Sequence, residues 1–166
     1  RARLEPLRWG RVIRADPVKQ GILYAGTENG VYVSFNDGAE WQPLQMNLPI
    51  VPITDMAVKN NNPIAATQGR SIWKIDDLKP LHQLNPSIAN KQVHLYQPMD
   101  TYRMMGRQNK KVKNAGVNHP GGVMVHFYLA EEPDSNETVS LSFHHQNGDL
   151  IRTFSTDAKE KKEKLE

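Results

Sequence analysis

The residues with the types to do chemistry are few and scattered. Hydrolysis of a glycosidic bond takes two carboxylates flanking the bond or, in sialidases, a tyrosine nucleophile with an acid and an arginine cluster. The groups of those types at strand ends and turns are Tyr24, Glu28, Asp55, Arg70, Asp76 and Asp77. Glu28 and Arg70 fall in corresponding turns of two successive strand–turn–strand units, so both can face one end of the molecule. The plainer reading, and the favoured one, is a solvated turn glutamate and an arginine that caps loop carbonyls. No set of three suitably placed arginines accompanies them. Neighbouring side chains on a strand point to opposite faces, so Asp76-Asp77 does not share a metal ion, and turn capping is the better reading. His144-His145 diverges for the same reason, and His82, His119 and His126 stand alone. Zinc needs three or four convergent ligands, and no spacing here supplies them. The chain has no cysteine, which removes disulfides, thiolate metal sites and cysteine nucleophiles. Gly-rich phosphate loops, dinucleotide fingerprints and a Ser-His-Asp order are also missing. No catalytic residue, metal or cofactor is therefore assigned.

Two other feature types are weighed on the same terms. The basic run 110–113 (KKVK), near Arg103 and Arg107, has the charge to touch a phosphate or an acidic glycan. Its Gly/Asn-rich setting and lack of stacking aromatics favour a solvated loop. Trp41 and Trp73 are expected in the core, between packed sheets. Trp9, beside Gly10, is left open as a residue that could stack on a sugar. Asn136-Glu137-Thr138 has the form of a glycosylation sequon, which is common by chance.

These groups would have to be positioned by β-structure. Residues 11–15, 22–27, 31–35 and 41–44 alternate with the turn signals Asp16-Pro17, Glu28-Asn29-Gly30 and Asn36-Asp37-Gly38, which predicts a four-strand meander. Asn29-Gly30 is expected to mark a strong hairpin turn, because both residues tolerate positive φ. The pattern then recurs as strands 53–58, 64–67 and 71–75, broken at Asn60-Asn61-Asn62-Pro63 and at Gln68-Gly69-Arg70. Laid over the first unit, Thr27 falls on Thr67, Tyr32 on Ile72 and Val33 on Trp73, an offset of 40 residues. That is the period of a propeller blade, whose four-stranded sheet covers its neighbour's apolar face.

From residue 78 the character changes. Residues 78–90 read as a connector, 93–96 as a short strand and 97–122 as a long polar loop. Alternation returns in 123–129. It is cleanest where Val139, Leu141 and Phe143 interleave with Ser140, Ser142 and His144. Asn147-Gly148 then turns into strand 150–154. Three such strands are expected to form part of an immunoglobulin/fibronectin-III-like sandwich, which normally has about seven. The tail 159–166 is a charged run, helical or disordered.

Length and charge bound the rest. The 166 residues carry 21 Lys and Arg against 18 Asp and Glu. A net charge of +3 is too small and too dispersed to imply a nucleic-acid partner. No apolar run approaches the roughly 18 residues of a membrane helix. Hydrophobic residues at 38% and a mean hydropathy of −0.64 allow a core, but a lean one.

The stretch Ser34-Phe35-Asn36-Asp37-Gly38-Ala39-Glu40-Trp41 resembles the Asp box of BNR-repeat propellers, Ser-x-Asp-x-Gly-x-Thr-Trp. Ser34, Gly38 and Trp41 match, Asn36 stands in place of the Asp, and Glu40 in place of the Thr. The box is a structural turn, so it marks a fold and not an active site. Thr67-Gln68-Gly69-Arg70, followed by Trp73 and Asp76-Asp77-Leu78-Lys79-Pro80-Leu81, is similar to the end of the propeller in large bacterial BNR/Asp-box, sortilin-like proteins. Many of these carry the label "glycosyl hydrolase" by repeat similarity alone. Their members have a β-sandwich-like module after the propeller.

The resemblance implies an all-β chain: the last blades of a β-propeller in 1–80, a connector and long loop in 81–122, and a partial β-sandwich in 123–166. It implies a C-terminal slice of a longer, extracytoplasmic protein, either secreted or periplasmic. The expected function is non-catalytic: this segment binds a protein, peptide or carbohydrate ligand and links propeller to sandwich, its other partner being the rest of the parent chain. The alternative is part of a sialidase-like glycoside hydrolase whose catalytic residues lie mostly in upstream blades.

Overall fold

The computed structural model describes residues 10–102, 122–134 and 137–157. Trp9, Arg103, Arg107, the run 110–113, His119, Asn136 and the tail 159–166 lie outside them. Strands make up 40% of the described residues and helices 8%, in several small antiparallel sheets of which none closes. The fold is therefore all-β. The described residues belong to two compact units, one drawn from Arg1–Pro86 and Leu95–Phe127, the other from Ser87–His94 and Tyr128–Glu166.

The first unit is built on two sheets. Strands β1 (Gly10–Ala15), β2 (Leu23–Thr27), β3 (Gly30–Ser34) and β4 (Gln42–Pro43) pair in chain order. Strands β5 (Ile53–Lys59), β6 (Asn62–Thr67) and β7 (Ile72–Lys74) do the same. The two ladders share one irregularity. Gly10 pairs with Thr27 and, after a bulge, Val12 pairs with Gly26. Ile53 pairs with Thr67 and, after a bulge, Asp55 pairs with Ala66. Thr27 and Thr67 thus hold the same place, as the sequence overlay has it.

Beyond those threonines the overlay slips by one residue. Ala25 pairs with Tyr32, whereas Ala65 pairs with Trp73. Tyr32 therefore corresponds to Trp73 and Val33 to Lys74, because the β6–β7 turn is one residue longer than the β2–β3 turn. In that longer turn Gly69 and Ser71 both take positive φ, and the Thr67 hydroxyl donates to the Ser71 carbonyl at 2.6 Å.

Apolar side chains join the two sheets. Tyr24, Val31 and Val33 pack with Ile53, Met56 and Ala65, flanked by Val51 and Leu78. The sheets approach most closely at Gly26, where a Cβ would lie 2.6 Å from Ile53 Cγ2 and 2.8 Å from Val12 Cγ1. Only glycine fits that spot. Helix α1 (Lys79–Gln83) follows the fully buried Leu78, and Leu81 packs against the core. No helix among the described residues is long and apolar enough to cross a membrane.

The hairpin turn expected at Glu28-Asn29-Gly30 is present, and a second two-residue turn, with both residues at positive φ, lies in the β5–β6 hairpin. Asn60 and Asn61 take φ 51° and 58° between the paired residues Lys59 and Asn62, the mirror-type turn that suits the twist of a two-residue hairpin. The β2–β3 turn instead uses Glu28 and Asn29, with Gly30 already paired to Thr27.

Beyond α1, a 3₁₀ turn (Pro86–Asn90) precedes strand β8 (Val93–Leu95), which pairs with β9 (Phe127–Leu129). Strands β10 (Ser140–His144) and β11 (Leu150–Ser155) form a separate hairpin. Strand β9 thus pairs with β8, and β10 pairs with β11. Alternation in β10 is as expected, with Leu141 and Phe143 half-buried and Ser140, Ser142 and His144 exposed. Phe143 meets Phe154 edge-on, the ring centroids 5.8 Å apart.

Candidate functional site

The turn after β3 is held by side-chain bonds among Ser34, Asn36, Gly38 and Glu40. Ser34 is fully buried. Its hydroxyl accepts the Gly38 N–H at 2.9 Å and donates to Asn36 Oδ1 at 3.0 Å. Asn36 Oδ1 also accepts the Glu40 N–H at 2.9 Å. Asn36 Nδ2 points at Glu40 Oε2, 3.4 Å away. An amide at 36 therefore suits the acid at 40, which a second acid would repel. Gly38 takes φ 87°, open to glycine at little cost.

Trp41 and Trp73, expected in the core, are half-buried. Each indole N–H closes the turn before it, to the Gly38 carbonyl at 3.0 Å and to the Arg70 carbonyl at 2.8 Å. The polar edge of an indole needs such a partner, and backbone at the sheet margin supplies it.

The turns carrying Glu28 and Arg70 lie at the same end of the stacked sheets. Gly26, beside the first turn, touches Ile53, and Ile53 pairs with Thr67, beside the second. Glu28 is held by Arg11, whose Nε donates to Oε1 at 2.7 Å. Arg70 is exposed, and its guanidinium makes no hydrogen bond or ion pair among the described residues. Asp55 is bound by Arg14 Nη2 at 2.7 Å, while Arg14 Nε reaches the Met56 carbonyl at 2.8 Å. Asp76 pairs with Lys74 at 2.7 Å, and Asp77 accepts the N–H of Lys79, the first residue of α1, at 2.8 Å. Among the described residues no three metal-capable side chains converge.

The densest polar cluster is one that sequence reasoning missed. The fully buried carboxylate of Asp16 accepts the N–H groups of Val18 and Lys19 at 2.8 and 2.9 Å on Oδ1. On Oδ2 it accepts the Tyr24 hydroxyl at 2.7 Å and His82 Nε2 at 2.8 Å. Burial alone would raise the Asp16 pKa; the four hydrogen bonds outweigh it and hold the group below its ordinary 3.8. Burial, then the Asp16 bond and charge, push Tyr24 far above its ordinary 10.0. Tyr24 is thus a neutral phenol with no exposure, which ends its candidacy as a nucleophile. Asp16-Pro17 marks the turn in the sequence, but nothing local signals His82, 66 residues away.

Near this cluster a surface recess of about 540 Å³ is lined by Lys19, Phe35, Gln42, Leu84, Asn85 and Pro86. Lys19 Nζ bonds the Leu84 carbonyl at 2.8 Å along it. No family model, curated protein or solved structure matches the chain.

Proposed function

We propose that the chain is a non-catalytic part of an extracytoplasmic propeller of the BNR/Asp-box type. In this reading the two sheets are successive blades, the later strands belong to a sandwich-like module, and the segment links the two. Its ligand is a protein, peptide or carbohydrate, met at the sheet-end turns of Glu28 and Arg70. The shared bulge at Thr27 and Thr67 and the bonding of the Asp-box turn support the blades. The observation that carries the absence of catalysis is the state of the acids. Glu28, Asp55, Asp76, Asp77 and Asp16 are each tied to a cation or a backbone amide, whereas hydrolysis needs a pair of carboxylates free to flank one bond.

The experiment is a screen of the purified chain against fluorogenic sialosides and aryl glycosides, with binding measured in parallel on glycan and peptide arrays. No turnover is expected, and any array signal should fall with Arg70→Ala. Turnover abolished by Glu28→Gln or Asp55→Asn would overturn the reading in favour of a glycoside hydrolase.

A further inference from the structure

Asn followed by Gly can rearrange on its own. The glycine nitrogen attacks the Asn side-chain carbonyl carbon, solvent base takes the N–H proton, and the amide nitrogen leaves protonated as ammonia. Water then opens the cyclic imide to aspartate or isoaspartate. The balance is amide plus water giving acid plus ammonia, with no oxidant or reductant. Glycine matters because no Cβ hinders the approach of its nitrogen.

The described residues hold two such pairs, and the fold treats them in opposite ways. Asn29-Gly30 is locked. Gly30 is buried and paired with Thr27, and the Gln45 side chain fills the place where a Cβ would stand. Gln45 is itself pinned by the Leu48 and Pro49 carbonyls, both at 2.9 Å. The Asn29 N–H is held by the Thr27 hydroxyl at 3.0 Å. Cyclisation there needs the β2–β3 ladder and its cover to open together.

Asn147-Gly148 is open. Residues 145–149 are all exposed, and nothing lies within 4 Å of a Cβ built on Gly148, whose φ is 93°. The Gly148 N–H makes one turn hydrogen bond, to the His145 carbonyl at 2.9 Å, so a local swing frees the nucleophile. The Asn147 side chain is poised beside Asp149, donating from Nδ2 to Oδ2 at 2.7 Å and accepting the Asp149 N–H on Oδ1 at 3.2 Å. We propose that Asn147 is a site of spontaneous deamidation, open to water and base, and that the same chemistry is suppressed at Asn29.

The product has a structural consequence. A carboxylate at 147 can no longer donate to Asp149 and repels it instead. The isoaspartyl form also lengthens the main chain inside a turn that the His145 N–H bond to the Asp149 carbonyl, 2.8 Å, closes. The change is one-way and adds one negative charge, and it loosens the β10–β11 hairpin from its turn end.

The test is peptide mapping by mass spectrometry of the full chain, aged in mildly alkaline buffer. The Asn147 peptide should gain the mass difference between amide and acid about tenfold faster than the Asn29 peptide, the ratio produced by roughly 1.4 kcal/mol of difference in local opening. In denaturant the two rates should converge. Asn147→Asp should speed hydrogen exchange in β10 and β11 and leave β2 and β3 unchanged. Equal rates in the folded chain, or faster conversion at Asn29, would overturn the proposal. A hairpin whose exchange is untouched by Asn147→Asp would overturn the structural consequence.

Discussion

Sheet β1–β4 and sheet β5–β7 share a bulged first hairpin and one apolar interface, yet their turns use different chemistry. The first sheet turns on side-chain oxygens: the Thr27 hydroxyl over Glu28-Asn29, and Ser34 with Asn36 over Asp37-Gly38. The second carries one such hydroxyl, from Thr67 to the Ser71 carbonyl, and makes its β5–β6 turn from Asn60 and Asn61 at positive φ, a conformation that Asp37 and Gly38 also take in the first sheet. Pairing register is therefore fixed by what must be buried between the sheets, and a turn has only to return the chain at the right length. Turn sequence is free to diverge while the ladder stays. The first sheet also has a fourth strand over β3, whereas β7 is the edge of its sheet, with Ile72 70% exposed. A flat exposed edge is a place where another strand can add.

The largest expected effect tests whether the two sheets are one cooperative structure. Ile53 has no exposed surface and contacts the first sheet from the second. Ile53→Ala should cost about 2–5 kcal/mol, and exchange in β2 and β6 should rise together. Loss confined to β5–β7 would mean that the sheets fold separately. Next comes Gly26→Ala, which drives a methyl into Ile53 and Val12. Overpacking of this kind costs roughly 1–3 kcal/mol. Ile53→Ala in the same chain should recover part of it in a double-mutant cycle, because it removes the Cγ2 that the new methyl would meet at 2.6 Å.

Which parts of this were legible in the sequence follows from the range of each interaction. The strands of both sheets could be read because apolar alternation and turn residues are local signals. The one-residue slip between Tyr32 and Trp73 could not, since it depends on how many residues the chain spends between Thr67 and Ile72, and both sequences are acceptable turns. The turn at Glu28-Asn29-Gly30 could be read because its signal is local, but the cover that Gln45 lays over Gly30 comes from another segment. The turn at Asn36-Asp37-Gly38 was legible because its bonds span only residues 34–41. The Asp16–Tyr24–His82 cluster was half-visible: the Asp-Pro turn shows, but His82 joins only through the packing of α1. Strand β9 alternates well enough for a sandwich, and its pairing with β8 is a tertiary choice that no alternation encodes.

Two further effects should separate the sheets by turn chemistry. Ser34→Ala removes a buried hydroxyl and leaves the Gly38 N–H and Asn36 without their partner. It should cost about 1–3 kcal/mol, against less for Thr67→Val, whose hydroxyl sits in a more exposed turn. Equal losses would erase the distinction drawn between the turns. Acid should act on the first sheet through Asp16. Its folded pKa lies below 3.8, so it contributes stability above the unfolded value that is lost as pH falls below about 3.8 through the folded one. The gap in urea midpoint between the parent chain and Asp16→Asn should therefore be constant near neutral pH and shrink at strongly acidic pH. A gap that widens there would reverse the sign of the Asp16 contribution.

The smallest effect is expected where the two sheets meet in the open. Arg14 of β1 bridges to β5 by two bonds that differ in kind. The one to Asp55 joins side chains 45% and 66% exposed, where water and salt weaken the attraction and such pairs contribute about 0.2–1 kcal/mol. The other runs from Nε to the Met56 carbonyl in a less exposed position, and it survives when Asp55 is neutral. Asp55→Asn should then cost under about 1 kcal/mol and lose most of that cost in high salt. Arg14→Ala should cost more than Asp55→Asn at every salt concentration, because it also strands the Met56 carbonyl between the sheets. If the two substitutions cost the same and both effects vanish in salt, the backbone bond contributes nothing, and the seam between β1 and β5 is held by apolar contact alone.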